Sequence, residues 1–122
     1  MNFINIIFID NSIDRCMKYN RLFTRYSNVV FDYESNYNEI VDINFDYYDI
    51  CFLNINQGFQ LELLDKHNTI FIAMDDDFAI PENEEYVKEF MERGFDMYVS
   101  SLLDSELIKH ILNVYILITS KK

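Results

Sequence analysis

The stretch of residues 49–56 constrains the fold more than any other part of the chain. Residues 50–53 are four consecutive apolar residues, and they lie between a polar segment and the turn-forming residues 56–58. An apolar run without alternation predicts a strand that is covered on both faces, as in the centre of a parallel sheet. Its last polar residue, Asn54, is therefore expected at the carboxyl edge of the sheet, where open parallel sheets place their chemistry.

The beginning of the chain repeats this arrangement. Residues 3–9 are almost continuously apolar, and the polar residues Asp10, Asn11 and Ser12 follow them. Ser12 is a good N-cap, so a helix is expected to begin at the next residue. Two buried parallel strands would place Asp10 and Asn54 side by side at one edge of the sheet.

Strands and helices alternate along the whole sequence. Apolar runs predict strands, and apolar residues at spacings of three and four predict helices. The predicted strands are 3–9, 29–33, 49–56, 69–74 and 97–100, and the predicted helices are 13–26, 37–44, 58–67, 81–93 and about 105–118. The alternation requires right-handed crossovers between parallel strands. It predicts a single domain, 1–122, with a doubly wound (βα)5 flavodoxin-like α/β fold and strand order 2-1-3-4-5.

The order of the elements and the polar residues at the strand ends resemble a bacterial response-regulator receiver domain, over the whole chain. In that family an acidic pair follows strand one, and an aspartate at the end of strand three accepts a phosphoryl group. A threonine or serine ends strand four, and a lysine followed by proline ends strand five. The residues at these positions here are Asp10 and Asn11, Asn54, Met74, and Ser101 followed by Leu102. The methionine-proline-glycine signature after the phosphoacceptor is replaced by Ile-Asn-Gln-Gly at 55–58.

These substitutions remove the parts that phosphotransfer needs. The neutral amide of Asn54 cannot be the nucleophile that forms an acyl phosphate. Mg²⁺ prefers anionic oxygen ligands, and only Asp10, with Asn11 beside it, remains of the family's metal site. Met74 supplies no switch hydroxyl, and Ser101 supplies no positive charge. The resemblance therefore implies a degenerate receiver, or pseudo-receiver, with no cofactor and no metal, which regulates through protein contacts and is not an enzyme.

Composition and charge exclude several other classes. The net charge of -11 opposes the phosphate backbone of nucleic acid. The sequence has no basic leader and no run of about 18 apolar residues, so we expect a cytoplasmic protein without a membrane span. Residues 10–13 contain no glycine, which argues against a nucleotide or flavin site after the first strand.

The cysteines and histidines show no pattern of a metal site. Cys16 and Cys51 lack metal-type spacing and stand among apolar neighbours, so we expect both to be buried and reduced. His67 and His110 are far apart in the sequence, and we expect them to be surface or capping residues.

The predicted fourth helix, fifth strand and fifth helix form the face through which receivers commonly dimerise. This sequence gives that face many aromatic residues and methionines, which are enriched at interfaces. The candidate contact residues are Tyr86, Phe90, Met97, Tyr98, Leu103 and Tyr115. We expect a homodimer, or a protein partner, at this face, although some of these residues must belong to the core. Tyr98 also matches an aromatic switch residue of receivers, but a core or half-exposed strand tyrosine is the favoured interpretation.

Two other functions remain open. A small ligand-binding or metal-binding α/β protein could use the crevice at the strand ends, with Asp10 and the acidic residues 75–77 as its polar groups. A receiver phosphorylated at a non-standard carboxylate, such as Asp75, is the other alternative. A solvated loop is the simpler interpretation of the acidic triplet.

Overall fold

The sheet of this protein is parallel throughout. The structure, a computed structural model, describes residues 3–36, 39, 42–54, 69–75, 95–100 and 105–120. Its elements are β1 (Ile4–Ile9), α1 (Ile13–Phe23), β2 (Val29–Glu34), a 3-10 turn (Phe45–Tyr47), β3 (Ile50–Asn54), β4 (Ile70–Asp75), β5 (Met97–Ser100) and α2 (Ser105–Ser120). The strands lie in the order β2-β1-β3-β4-β5. The predicted flavodoxin-like sheet is thus confirmed for the order 2-1-3-4, whereas the predicted helices 58–67 and 81–93 lie outside the described residues.

The apolar runs form the centre of the molecule because both faces of β1 and β3 are covered. Every residue of β3 is buried, as its uninterrupted apolar run predicts. On one face of the sheet, strand residues pack against residues of α1 and α2. This side of the core includes Phe8, Phe52 and Ile72 of the strands and Tyr19, Phe23 and Ile111 of the helices. The opposite face includes Ile9, Cys51, Leu53, Phe71, Phe45 and Phe95. Each fully buried large apolar side chain contributes about 1.5–3 kcal/mol, so this double-sided core dominates the stability.

Helix α1 begins where the sequence predicts and ends three residues earlier. The Ser12 side chain accepts a hydrogen bond from the backbone N–H of Arg15 at 3.2 Å, which caps the first turn. The helix was predicted to continue to Tyr26, but this end is wrong, because the helix stops at Phe23. The Thr24 hydroxyl donates to the Asn20 carbonyl at 2.6 Å, and this local bond competes with continuation of the helix.

Half of the predicted helix 37–44 lies outside the described residues, and its predicted end is wrong. Asn44 is extended, with φ -85° and ψ 93°, and its side chain accepts from the Asp46 amide at 3.2 Å. Asparagine favours such local bonds over helix continuation. Phe45 is nevertheless buried, against Phe71, with the ring centroids 5.5 Å apart.

Two aspartates stabilise the amino edge of the sheet. Asp49, directly before β3, accepts the Asn5 amide at 2.8 Å. Asp96, directly before β5, accepts the Phe71 amide at 2.9 Å. In each case a carboxylate directly before one strand accepts a hydrogen bond from a backbone N–H of the neighbouring strand. The amino edge of the sheet therefore carries negative charge.

Both cysteines are buried free thiols, as the sequence predicts. Burial, and secondarily the charge of Asp10, raise the pKa of the Cys16 thiol to about 11. Burial also raises the pKa of Cys51 well above its ordinary value. Both thiols therefore remain protonated and unreactive at neutral pH.

Candidate functional site

The candidate site lies at the carboxyl edge of the sheet, where β1 and β3 end. Ile9 and Leu53 are partners in the parallel register, so the residues that follow them, Asp10 and Asn54, come together. Both side chains are 0% exposed. The Asn54 amide Nδ2 donates to Oδ2 of Asp10 at 3.2 Å. The neutral amide thus acts here as a donor to the buried carboxylate.

Arg15 completes this cluster, although the sequence analysis did not single it out. Its Nε lies 2.6 Å from Oδ2 of Asp10, and the Arg15 side chain as a whole is 25% exposed. This short ion pair is not a well-aligned Nε hydrogen bond. A second guanidinium nitrogen, Nη2, donates to Oδ1 of Asp10 at 3.4 Å. We refer to Asp10, Arg15 and Asn54 as the edge cluster.

The N-cap of α1 explains why Arg15 reaches Asp10. Ser12 caps the helix, so Arg15 is the third helical residue and its side chain lies within the first turn. Side chains of a helix point back toward its amino terminus, which is the direction of Asp10. The backbone N–H of Ser12 also donates to Oδ1 of Asp10, at 2.9 Å. One signal could have identified the pair: an arginine in the first turn of a helix that directly follows a buried carboxylate.

The edge cluster neutralises a charge that would otherwise be very unfavourable in the core. A carboxylate without solvent needs an opposite charge and hydrogen-bond donors, and Asp10 has the guanidinium, the Asn54 amide and the Ser12 amide. The carboxylate oxygens are therefore both occupied by groups of the protein itself.

The other residues predicted for the pocket differ in burial, and one of them lies outside the described residues. Met74 is fully buried and is the register partner of Asn54, so a thioether lies next to Asn54 at the end of β4. Asn11 is exposed, at the surface beside the cluster. Ser101 lies outside the described residues. Asp75 is the last residue of β4, in register with Ser100.

Of the residues predicted for an interaction face, some pack against the core and others lie outside the described residues. Tyr115 and Met97 are half-buried and pack against the core. The Tyr115 hydroxyl forms a hydrogen bond with Asp49, and burial and this carboxylate raise the pKa of Tyr115 to about 12. Tyr98 belongs to β5, in register with Ala73. Tyr86, Phe90 and Leu103 lie outside the described residues, as does His67, whereas His110 is exposed on α2.

The edge cluster does not fit a divalent metal ion. Within the described part of the chain, no three histidine, cysteine, aspartate or glutamate residues gather as a metal site would require. Mg²⁺ needs several oxygen ligands, but the cluster offers one carboxylate, and that group is already paired with a guanidinium. Arg15 places a positive charge where a metal would have to approach Asp10.

Comparison with known proteins identifies the fold of this chain. No family model and no curated protein matches the sequence. A two-component response regulator from Clostridium difficile matches the structure with a TM-score of 0.74 at 20% identity, covering 93% of this chain and 95% of that chain. The receiver domain of a DNA-binding response regulator from Colwellia psychrerythraea matches with a TM-score of 0.76 at 13% identity, covering 93% and 98%. This chain has the receiver fold.

A solved structure that is not described as a response regulator also matches this fold. A candidate pilus assembly protein from Burkholderia thailandensis matches with a TM-score of 0.77 at 16% identity, covering 93% of this chain and 98% of that chain. At such low identity the likeness shows the fold alone. Across the described residues, no helix is long and apolar enough to cross a membrane.

Proposed function

We propose that this chain is a pseudo-receiver, a regulatory protein-interaction domain of a bacterial signalling protein that works without aspartyl phosphorylation. The observation that carries the proposal is the edge cluster, in which Arg15 and Asn54 both bind the Asp10 carboxylate. Similarity to response regulators supports the signalling role.

The chemistry of the cluster supports phosphorylation independence. Phosphoryl transfer needs a nucleophile and cations that neutralise the charge spreading over the transferred group. Asn54 supplies an amide instead of a carboxylate, and the positive charge of Arg15 is bound to Asp10 at 2.6 Å. The edge cluster is therefore a static structural network in this proposal, and no cofactor takes part.

The remaining parts of the proposal concern the whole chain. We infer a complete (βα)5 unit forming one domain, 1–122, without enzymatic activity. A cytoplasmic location agrees with two free cysteines that are buried and protonated. A small ligand-binding or metal-binding protein, and a receiver phosphorylated at Asp75, remain the alternatives that the experiments below distinguish.

Magnesium should leave the thermal stability of the protein unchanged. A ligand that binds only the native state raises the unfolding midpoint, so about 10 mM Mg²⁺ should cause no rise in the wild type. A variant that combines Asn11→Asp, Arg15→Ala and Asn54→Asp is the control, because it has three carboxylates and no competing guanidinium. The midpoint of this variant should rise with Mg²⁺. A clear rise in the wild type would contradict the proposal.

We also propose a homodimer through the C-terminal region, which includes α2 and β5. Leu117 and Ile116 of α2 are 59% and 47% exposed, so this helix presents two adjacent large aliphatic side chains to solvent. Leu117→Lys is expected to convert a dimer into a monomer, because burial of an unpaired ammonium is unfavourable. Met17→Lys on α1 is the matched control, since Met17 is 47% exposed on another helix.

Light scattering coupled to size exclusion measures this effect directly. The wild type and Met17→Lys should have the mass of a dimer, and Leu117→Lys should have the mass of a monomer. Phe90→Ala and Tyr98→Ala should weaken the same dimer. A wild type that remains monomeric at high concentration would refute the dimer.

A further inference from the structure

A cavity of about 280 Å³ lies at the amino edge of the sheet, opposite to the edge cluster. Its walls are aliphatic side chains at the beginning of β3 and β4 and on the inner side of α2, among them Ile50, Ile70, Ile111 and Val114. An apolar cavity of about 150 Å³ already holds a benzene molecule. This cavity therefore has room for a six-membered ring with a short substituent.

The described residues that line this cavity supply polar groups that are acidic or neutral. Asp96 lines it with an exposed carboxylate, whose Oδ2 accepts the Phe71 amide. Tyr115 also lines it, and its hydroxyl bonds to a second carboxylate, Asp49. Among the described residues that line the cavity, none is a lysine, arginine or histidine. An organic ligand with a positive end is thus the one that the charges favour.

We propose that the cavity binds a small primary amine, with its apolar body between α2 and the sheet and its ammonium group on the Asp96 carboxylate. Ligand sites of proteins are commonly apolar pockets with a few polar groups that fix orientation. An ammonium beside a carboxylate forms a charge-assisted hydrogen bond, stronger than a bond between neutral groups. This site goes beyond the proposed function, because it shares no residue with the edge cluster, and either proposal can fail alone.

Three ligands of similar shape and different charge test the proposal. Phenethylamine, phenethyl alcohol and phenylacetate are titrated into the full chain at neutral pH and followed by calorimetry or by NMR chemical shifts. The amine should bind about tenfold more tightly than the alcohol, a ratio that one partly exposed charge-assisted bond supplies. Phenylacetate should bind most weakly. Equal affinities for the amine and the alcohol, or no binding of the amine, would overturn the proposal.

Matched variants then locate the site. Asp96→Asn keeps an acceptor for the Phe71 amide but removes the charge, so it should reduce the affinity for the amine to that for the alcohol. Asp14→Asn makes the same change in net charge at an exposed position of α1 and should have no effect. Equal losses in the two variants would show non-specific attraction and would overturn the proposal.

A cavity-filling variant tests the apolar part independently. Val114→Phe should lower the affinity for both the amine and the alcohol more than tenfold, with the circular dichroism spectrum unchanged. If Val114→Phe does not fold, Val114→Leu replaces it and should lower both affinities less strongly. Unchanged affinities in a folded filling variant would place the ligand elsewhere and would overturn the proposal.

Discussion

Replacing Arg15 with methionine is expected to lower the free energy of unfolding by about 3 kcal/mol, near the lower end for a broken buried ion pair. Methionine keeps the apolar stem of the side chain but removes the guanidinium from the 0% exposed Asp10 carboxylate. The lower end of this range applies because the Arg15 side chain is 25% exposed, so water can partly solvate the Asp10 carboxylate once the guanidinium is removed.

Urea denaturation measures this loss of unfolding free energy. Two further variants show whether it comes from the unpaired Asp10 carboxylate. Arg25→Met is the control, since Arg25 is exposed, and its effect should stay within about 0.5 kcal/mol. The double variant Asp10→Asn with Arg15→Met should recover part of the stability, because it leaves no charge unpaired in the core. An effect of Arg15→Met no larger than that of Arg25→Met would contradict the structural role of the edge cluster.

Replacing Asn54 with aspartate should destabilise the protein by about 2 kcal/mol at neutral pH, although it restores the missing nucleophile. The Asn54 amide donates to Asp10 at 3.2 Å, and a carboxylate there would place oxygen against oxygen. Burial and this repulsion raise the pKa of the new carboxyl above its value in the unfolded chain. A rise of about 1.5 pKa units corresponds to about 2 kcal/mol.

The pH dependence identifies the cause of this loss. Because the pKa is raised in the folded state, the loss is absent below the unfolded pKa, about 4, and grows as the pH rises through the folded pKa. Asn113→Asp, at an exposed position of α2, is the control and should show little change. Urea denaturation at pH values from about 4 to 7 tests this, and a loss independent of pH would refute the electrostatic explanation.

The strands and the position of the site could be predicted from the sequence because burial on both faces leaves a direct signature. Continuous apolar runs mark β1 and β3, and the polar residues after them, Asp10 and Asn54, mark the carboxyl edge. The parallel arrangement then brings these two side chains together without any further information.

Arg15 could not be found in the same way. Helical periodicity assigns a charged residue of the first turn to the solvated side. The pair with Asp10 follows instead from the position of Arg15 in the first turn of a helix that directly follows a buried carboxylate. The end of α1 at Phe23 and the extended Asn44 follow from local side-chain bonds that compete with apolar spacing. Tyr115 illustrates a third limit, since aromatic content does not separate core from surface.

A rebuilt pocket provides the positive control for the question of phosphorylation. The combination Asn11→Asp, Asn54→Asp, Met74→Thr and Ser101→Lys, with Arg15→Ala, restores nucleophile, metal ligands, hydroxyl and countercharge. This variant should be labelled at least slowly by acetyl phosphate with Mg²⁺. Asn54→Asp alone should remain unlabelled, because Arg15 and the missing countercharge still prevent neutralisation of the transferred group.

The intact mass of the wild-type protein after incubation with acetyl phosphate and Mg²⁺ is the most direct test of phosphorylation independence. The edge cluster predicts an unchanged mass, because Asn54 cannot form an acyl phosphate and Asp10 is held by Arg15. An increase by the mass of one phosphoryl group, at Asp75 or at any other carboxylate, would contradict the proposed function.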